Sequence, residues 1–154
     1  MLSFRKATAD DVQLFFDWAN DELVRFNSYN QQPVIYEKHV EWFSNKLADR
    51  NYTFLVFEDA KKQAVGQVRF QLENNGAVIG ILVDKNHRGK GYAAVMLKMA
   101  SEYFHELHPG VEITAYVKTA NLASYQSFLN AGYVLKEKML YNNKDESFKL
   151  VKYK

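Results

Sequence analysis

The 154-residue chain has no cysteine. That removes disulfides, thiolate metal sites and any cysteine nucleophile from the chemistries open to it, and it fits a cytoplasmic protein. No apolar run approaches the roughly 20 residues of a membrane span, and Met1-Leu2-Ser3-Phe4-Arg5-Lys6 offers no signal-peptide stretch. Charge of one sign is also scarce: 20 Lys and Arg against 18 Asp and Glu leave a net +2. The basic residues are dispersed among acids, whereas a nucleic-acid footprint needs a basic face or stripe. Nucleic acid and membrane are therefore not expected partners. Repeats, linkers and low-complexity segments are absent. What the chain does have is 47% apolar residues, 15% of the total being aromatic, enough to bury the core of one domain spanning residues 1–154.

The pattern along the chain alternates. Leu2 to Lys6 reads as a strand. Thr8 and Asp10 offer N-caps for a helix in which Val12, Phe15, Phe16 and Ala19 recur at helical spacing. A short helical turn at Glu22 to Phe26 interrupts the polar segment Asn20 to Pro33. A second helix runs from about Glu37 to Asp49, its apolar face expected to be Val40, Phe43 and Leu47 and its His39 expected to be exposed. Thr53 to Phe57, Val65 to Leu72 and Ala77 to Val83 read as strands, the last two joined by the hairpin signal Asn74-Asn75-Gly76. A long helix, Tyr92 to Leu107, is ended by Pro109-Gly110. Val111 to Val117 follows as a strand parallel to Ala77 to Val83, because a helix joins them. Asn121 to Ala131 is a helix, and Tyr133 to Met139 and Phe148 to Lys152 form a closing hairpin. The expected fold is α/β, with a mixed, largely antiparallel central sheet of about seven strands and about four flanking helices.

The segment Asp84-Lys85-Asn86-His87-Arg88-Gly89-Lys90-Gly91-Tyr92-Ala93 joins a strand to a helix start. Its glycines let backbone amides approach a ligand, the helix start adds unpaired N–H donors and positive dipole, and Arg88 and Lys90 add charge. Such a segment cradles a pyrophosphate. The phosphate-loop spacing of nucleotide triphosphatases is absent. Gly89, Gly91 and Ala94 satisfy the dinucleotide fingerprint, but the acidic residue about 20 positions on, Glu112, stands at the wrong end of its strand. The hairpins before the loop also fail the context of a doubly wound sheet.

The remaining match is to an acetyl-CoA loop. Arg88-Gly89-Lys90-Gly91-Tyr92-Ala93 fits Arg/Gln-x-x-Gly-x-Gly/Ala, and Asn121, Ser124, Phe128, Gly132 and Tyr133 fit a second, downstream motif. In this order and spacing the chain resembles, over essentially its whole length, the GNAT superfamily of acetyl-CoA-dependent N-acetyltransferases. The resemblance implies that the backbone of Ile81, Leu82 and Val83 pairs with the pantetheine arm. It further implies that Arg88, Gly89, Lys90, Gly91, Tyr92 and Ala93 take the pyrophosphate, and that Asn121, Ser124 and Phe128 face the distal arm. No metal is expected. A plain helix cap is the competing role for Asn121.

Two positions depart from the family pattern. Phe128 stands where many relatives place a proton-donating Tyr, and Val78 near where many place a Glu base. Tyr125 and Ser124 are the candidate acids. Water relayed from Asp17, Glu41 or His39 is the candidate route for the amine proton. The acceptor-side residues Asn20, Arg25, Gln67 and Arg69 resemble those of the branch that acetylates amino-sugar nucleotides, as in pseudaminic-acid-type pathways. Gln67 and Arg69 share one strand face. The same region also resembles the branch that acetylates protein N-termini, ribosomal proteins among them. With Phe128 and Val78 in place, an acetyl-CoA-binding module with little turnover is a third possibility. A small-molecule amine partner and a monomer or homodimer are expected.

Overall fold

The computed structural model describes residues 1–153; the expected domain boundary at Lys154 lies outside the described residues. Seven strands form one sheet: β1 (Ser3–Lys6), β2 (Tyr52–Glu58), β3 (Ala64–Glu73), β4 (Gly76–Val83), β5 (Ile113–Lys118), β6 (Val134–Tyr141) and β7 (Asp145–Lys152). Their order is β1-β2-β3-β4-β5-β7-β6, and only the β4–β5 pair is parallel. Five α-helices accompany them, one more than expected: α1 (Val12–Ala19), α2 (Glu22–Asn27), α3 (Tyr36–Ala48), α4 (Tyr92–Leu107) and α5 (Leu122–Asn130). The helical turn expected at Glu22 is long enough to count as α2. Among the described residues no helix is long and apolar enough to cross a membrane.

Strand alternation divides the apolar side chains between two layers. Leu55, Phe57, Val68 and Phe70 point to the face covered by α4, where Met96, Leu97, Ala100 and Phe104 are buried and Phe70 stacks on Phe104 at 4.5 Å. Phe54, Val56 and Leu82 point to the other face and pack with Phe15, Trp18 and Phe43 of α1 and α3. Across the ladder Gln67 stands opposite Val56 and Leu82, and Arg69 stands opposite Phe54 and Gly80. Two polar residues thus occupy the α1/α3 face where an apolar core would otherwise continue.

The inward face of α3 differs from expectation. Val40 is largely exposed, and His39 and Phe43, one turn apart, are buried. The His39 ring lies nearly parallel to Phe43 at 5.9 Å, and its Nε2–H donates to the Val12 carbonyl at 3.2 Å. A flat ring whose N–H has a fixed partner packs as an apolar group does, which hydropathy patterning does not register.

Gly66 on β3 has no room for a side chain: a Cβ there would collide with the Leu82 carbonyl oxygen and stand 2.8 Å from Met96 Cε. Gly66→Ala should therefore destabilise the protein by about 1–3 kcal/mol through overpacking. The check is the midpoint of urea unfolding at unchanged slope; an unmoved midpoint would contradict this packing of β3 on β4 and α4.

Candidate active site: a cleft where two parallel strands part

β4 pairs with β5 only at Ala77↔Ile113 and Val78↔Thr114. From Ile79 to Val83 the strand keeps β3 on one side and has no strand on the other, while β5 remains paired to β7 along its length. The parted strands open a cleft of about 1350 Å³ that runs from the α1–α3 face past β4 to the start of α4. Ile81, Leu82 and Val83 border it. The unpaired margin of β4 meets the requirement of an amide-bearing arm that adds as a strand.

At the end of β4, Asp84 organises the turn. Its carboxylate accepts from Trp18 Nε1 at 2.9 Å, from the Asn86 amide at 3.0 Å and from His87 Nδ1 at 3.0 Å. Partial burial pushes its carboxyl up, but these three donors outweigh burial and hold it below the usual range. The loop then passes Gly89 (φ 79°) and Gly91 (φ 76°). A Cβ on either glycine would meet nothing within 4 Å. The positive φ values suit glycine, and the space beside them is the approach that an anion needs to the amides of a helix start. Gly91 is the N-cap of α4 and supplies no side-chain cap, so the first-turn donors remain free. The loop thus fits a pyrophosphate, through its backbone.

The charges near the loop are arranged differently from expectation. Arg88 lines the cleft but donates to Asp21 Oδ2 at 2.8 Å, and Asp21 also N-caps α2 by accepting from the Val24 amide at 3.1 Å. Arg88 therefore ties the loop to α2, with its charge largely spent. Lys90 is exposed and does not border the cleft. Tyr92 and Ala93 border it, as do Asn121, Ser124 and Phe128 on α5. Asn121 Oδ1 accepts from the Ser124 amide at 3.3 Å, so Asn121 is a helix cap that also borders the cleft. The Ser124 hydroxyl is hydrogen-bonded to no protein group among the described residues, and it stands one turn from the buried Phe128 ring.

Two sequence candidates are displaced. Tyr125 stacks on Phe148 of β7 at 4.0 Å and does not border the cleft, because one residue's advance along α5 turns it away from Ser124. Asn20 is consumed by the backbone of Val34: its Nδ2 donates to the carbonyl at 2.8 Å and its Oδ1 accepts from the amide at 2.8 Å. It clamps the segment between α2 and α3 and does not border the cleft. Asp17 and Glu41 are exposed and outside it as well.

Arg25, Gln67 and Arg69 do come together in the cleft wall. Arg25 donates to the carbonyls of Asn30 at 2.8 Å and Gln32 at 3.0 Å and to Ser28 Oγ at 3.2 Å, while its Nε is buried without a partner. Burial, and then the neighbouring charge of Arg69, lower its pKa. The Arg69 guanidinium lies over Gly80, where a Cβ would be 2.8 Å from Cζ. Gly80 is a residue that the sequence did not mark; the signal was a glycine opposite an arginine in a hairpin. His39 borders the cleft too, 4% exposed, and burial lowers its pKa so that it is neutral near pH 7.

Residues 1–134 match the family model for the acetyltransferase (GNAT) domain. The chain belongs to this family. It is an acetyl-CoA-dependent N-acetyltransferase domain. Among solved structures, spermidine N-acetyltransferase from Vibrio cholerae in complex with CoA and spermine matches with a TM-score of 0.86 at 20% identity, over 98% of this chain and 94% of that one. The dodecameric structure of the same enzyme in an intermediate state matches with a TM-score of 0.79 at 21% identity, over 99% and 93%. At this identity the likeness concerns the fold. No curated protein sequence matches the chain. Neither finding favours the amino-sugar or ribosomal-protein branch of the GNAT family.

Gly91→Val would set a β-branched side chain in the left-handed region and fill the open space beside the loop of this GNAT domain. CoA affinity should fall at least about tenfold, or about 1.4 kcal/mol, in a folded variant. Calorimetric titration checks this, and unchanged affinity would remove the loop from the cofactor site.

Proposed function

We propose that this domain, residues 1–154, moves an acetyl group directly from acetyl-CoA to the primary amine of an anionic small molecule, and that an amino-sugar nucleotide is the acceptor class its cleft suits best. The observation that carries this reading is the charge of the cleft wall. Arg25, Lys38, Arg69, Arg88 and Lys118 border it, and among the described residues no Asp or Glu does. Only Arg88 among them is ion-paired. Unpaired guanidinium groups suit phosphate, and Arg69 in particular has its planar fork free.

Acetyl-CoA, when bound, supplies an acyl carbon activated as a thioester. The rest is done by the chain. The unpartnered margin of Ile79–Val83 is suited to the pantetheine arm, and the amides from Arg88 to Ala93 to the pyrophosphate. Phe128 packs at the thioester end. Ser124 Oγ is the cleft hydroxyl best placed on α5 to pass a proton to the departing sulfur, in place of the absent tyrosine. Arg69 and Arg25 hold the acceptor's anionic group, and Gln67 lies beside Arg69 to meet its amine.

A polyamine acceptor is the second reading, favoured by the fold shared with the Vibrio cholerae enzyme. Against it stands the same wall: several ammonium groups would enter a cleft with unpaired cations and no carboxylate. A peptide amine meets the same obstacle.

Purified protein incubated with acetyl-CoA and an amine panel, with free thiol followed, tests this. Thiol release should be fastest with a nucleoside-diphosphate amino sugar. Arg69→Ala should raise that acceptor's KM about tenfold or more, the worth of a charge-assisted contact, and leave the acetyl-CoA KM within a few-fold. Preference for spermidine would install the polyamine reading; preference for a peptide would install N-terminal acetylation. CoA binding with no thiol release would make the protein a binding module.

A further inference from the structure

Among the described residues, two buried side-chain atoms lack a hydrogen-bond partner, Arg25 Nε and Gln67 Oε1, and both residues border the active-site cleft. Buried polar atoms in folded proteins are nearly always satisfied. One orphan donor and one orphan acceptor in the same cavity point to a ligand that brings an anionic oxygen and an N–H. Gln67 is 5% exposed and is fixed in mid-strand between Val56 and Leu82. It differs from a carboxylate base in one decisive respect. An amide carbonyl accepts an N–H without favouring the ammonium over the amine.

We infer that the acceptor is held and acetylated as its free base, its extra proton driven into solvent by the cationic cleft wall, with the Gln67 carbonyl accepting an N–H and so orienting the nitrogen lone pair. This deepens the preceding proposal and rests on it. Arg25 borders the cleft from α2, Lys38 and His39 from α3, and Arg69 from β3. Lys118 and Tyr116 do so from β5, Tyr52 from β2 and Tyr29 from the segment after α2. His87, Arg88 and Tyr92 approach from the loop side. Of the carboxylates near the loop side, Asp21 is held by Arg88 and Asp84 by Trp18 and His87. Asp145 acts on Tyr29, and Glu73, Glu112 and Glu137 on Tyr116, from outside the lining. Among the described residues every charged side chain on the lining itself is therefore positive, and like charge at close range favours the neutral amine.

A side-chain base is the rival route, and His39 is its one imidazole candidate on α3. Its Nε2–H is donated to Val12, which leaves the lone pair on Nδ1 and favours the charged ring, but burial outweighs that bond and disfavours the imidazolium, so His39 is a poor acceptor for an ammonium proton. In the free-base route the ammonium gives one proton to water on binding. The nitrogen lone pair then forms the N–C bond, the C–S bond breaks with its electron pair on sulfur, and one N–H proton is lost from nitrogen as one is gained by sulfur.

Proton release on binding tests this. The protein·CoA complex is titrated calorimetrically with a nucleoside-diphosphate amino sugar, in buffers of different ionisation enthalpy, at least about one pH unit below the amine's solution pKa. Close to one proton should leave per amine bound, by linkage. Zero release would mean that the proton stays on the amine or passes to a side chain, and would overturn the inference. Gln67→Glu adds the rival's carboxylate. Proton release should fall and turnover near pH 7 should drop at least about tenfold, since the ammonium is then stabilised; faster turnover would also overturn the inference. An amino sugar that neither binds the complex nor releases thiol sinks the underlying acceptor reading as well. Binding with turnover but without proton release sinks this one alone.

Discussion

The site depends on the failure of two parallel strands to stay paired. β4 and β5 share two registers and then part, and both remain held on their outer sides by β3 and β7. Backbone groups in a folded interior need partners. A strand margin left open beside an apolar sheet is therefore free to pair with water or with a ligand that has amide groups of its own. The parting also sets the ends of the cleft. The loop after β4 must turn into α4 where the strands are farthest from one another, and α5 must begin on the opposite bank. Asp84 holds one bank by gathering Trp18, His87 and its own turn; Asn121 caps the other. Arg88 and Asp21 then fasten the loop to α2, so the cofactor side and the acceptor side share a strut.

Electrostatics divides the work between the two halves. On the cofactor side the fitting features are backbone: two open glycines and an uncapped helix start. On the acceptor side they are side chains whose charges have not been neutralised. Arg69 owes its position to Gly80, since any side chain there would displace the guanidinium. Keeping like charges such as Arg25 and Arg69 near one another costs stability, and functional sites are where such costs concentrate. A fold does not by itself dictate the acceptor; the side chains on the cleft wall do.

The motif-bearing backbone was legible in the sequence. Gly89 and Gly91 mark the loop because no other residue tolerates its φ values cheaply, and the period of α4 gave its bounds at Tyr92 and Leu107. The hairpin at Asn74-Asn75-Gly76 likewise joins β3 to β4. Side-chain destinations were less legible. Asn20 reads as a short-reach donor, yet both halves of its amide close on Val34, a contact 14 residues away that no local pattern announces. Arg88 reads as a phosphate ligand until Asp21 is seen beside it. His39 reads as a surface residue because hydropathy treats imidazole as polar, whereas stacking on Phe43 and a bond to Val12 make it part of the interior. Tyr125 and Ser124 are adjacent in sequence, and only the docking of α5 decides which one faces the cleft. These misses share a cause: tertiary partners, distant along the chain, settle what a polar side chain does.

The claim on which the rest stands is that the open margin of β4 and the loop after it receive acetyl-CoA. Amide hydrogen exchange, with and without CoA, tests it most directly. Protection should rise in residues 79–93, where backbone donors gain ligand partners, and remain unchanged along the β5–β7 ladder, whose donors are already paired. Protection confined to another part of the chain, or none at saturating CoA, would contradict the account.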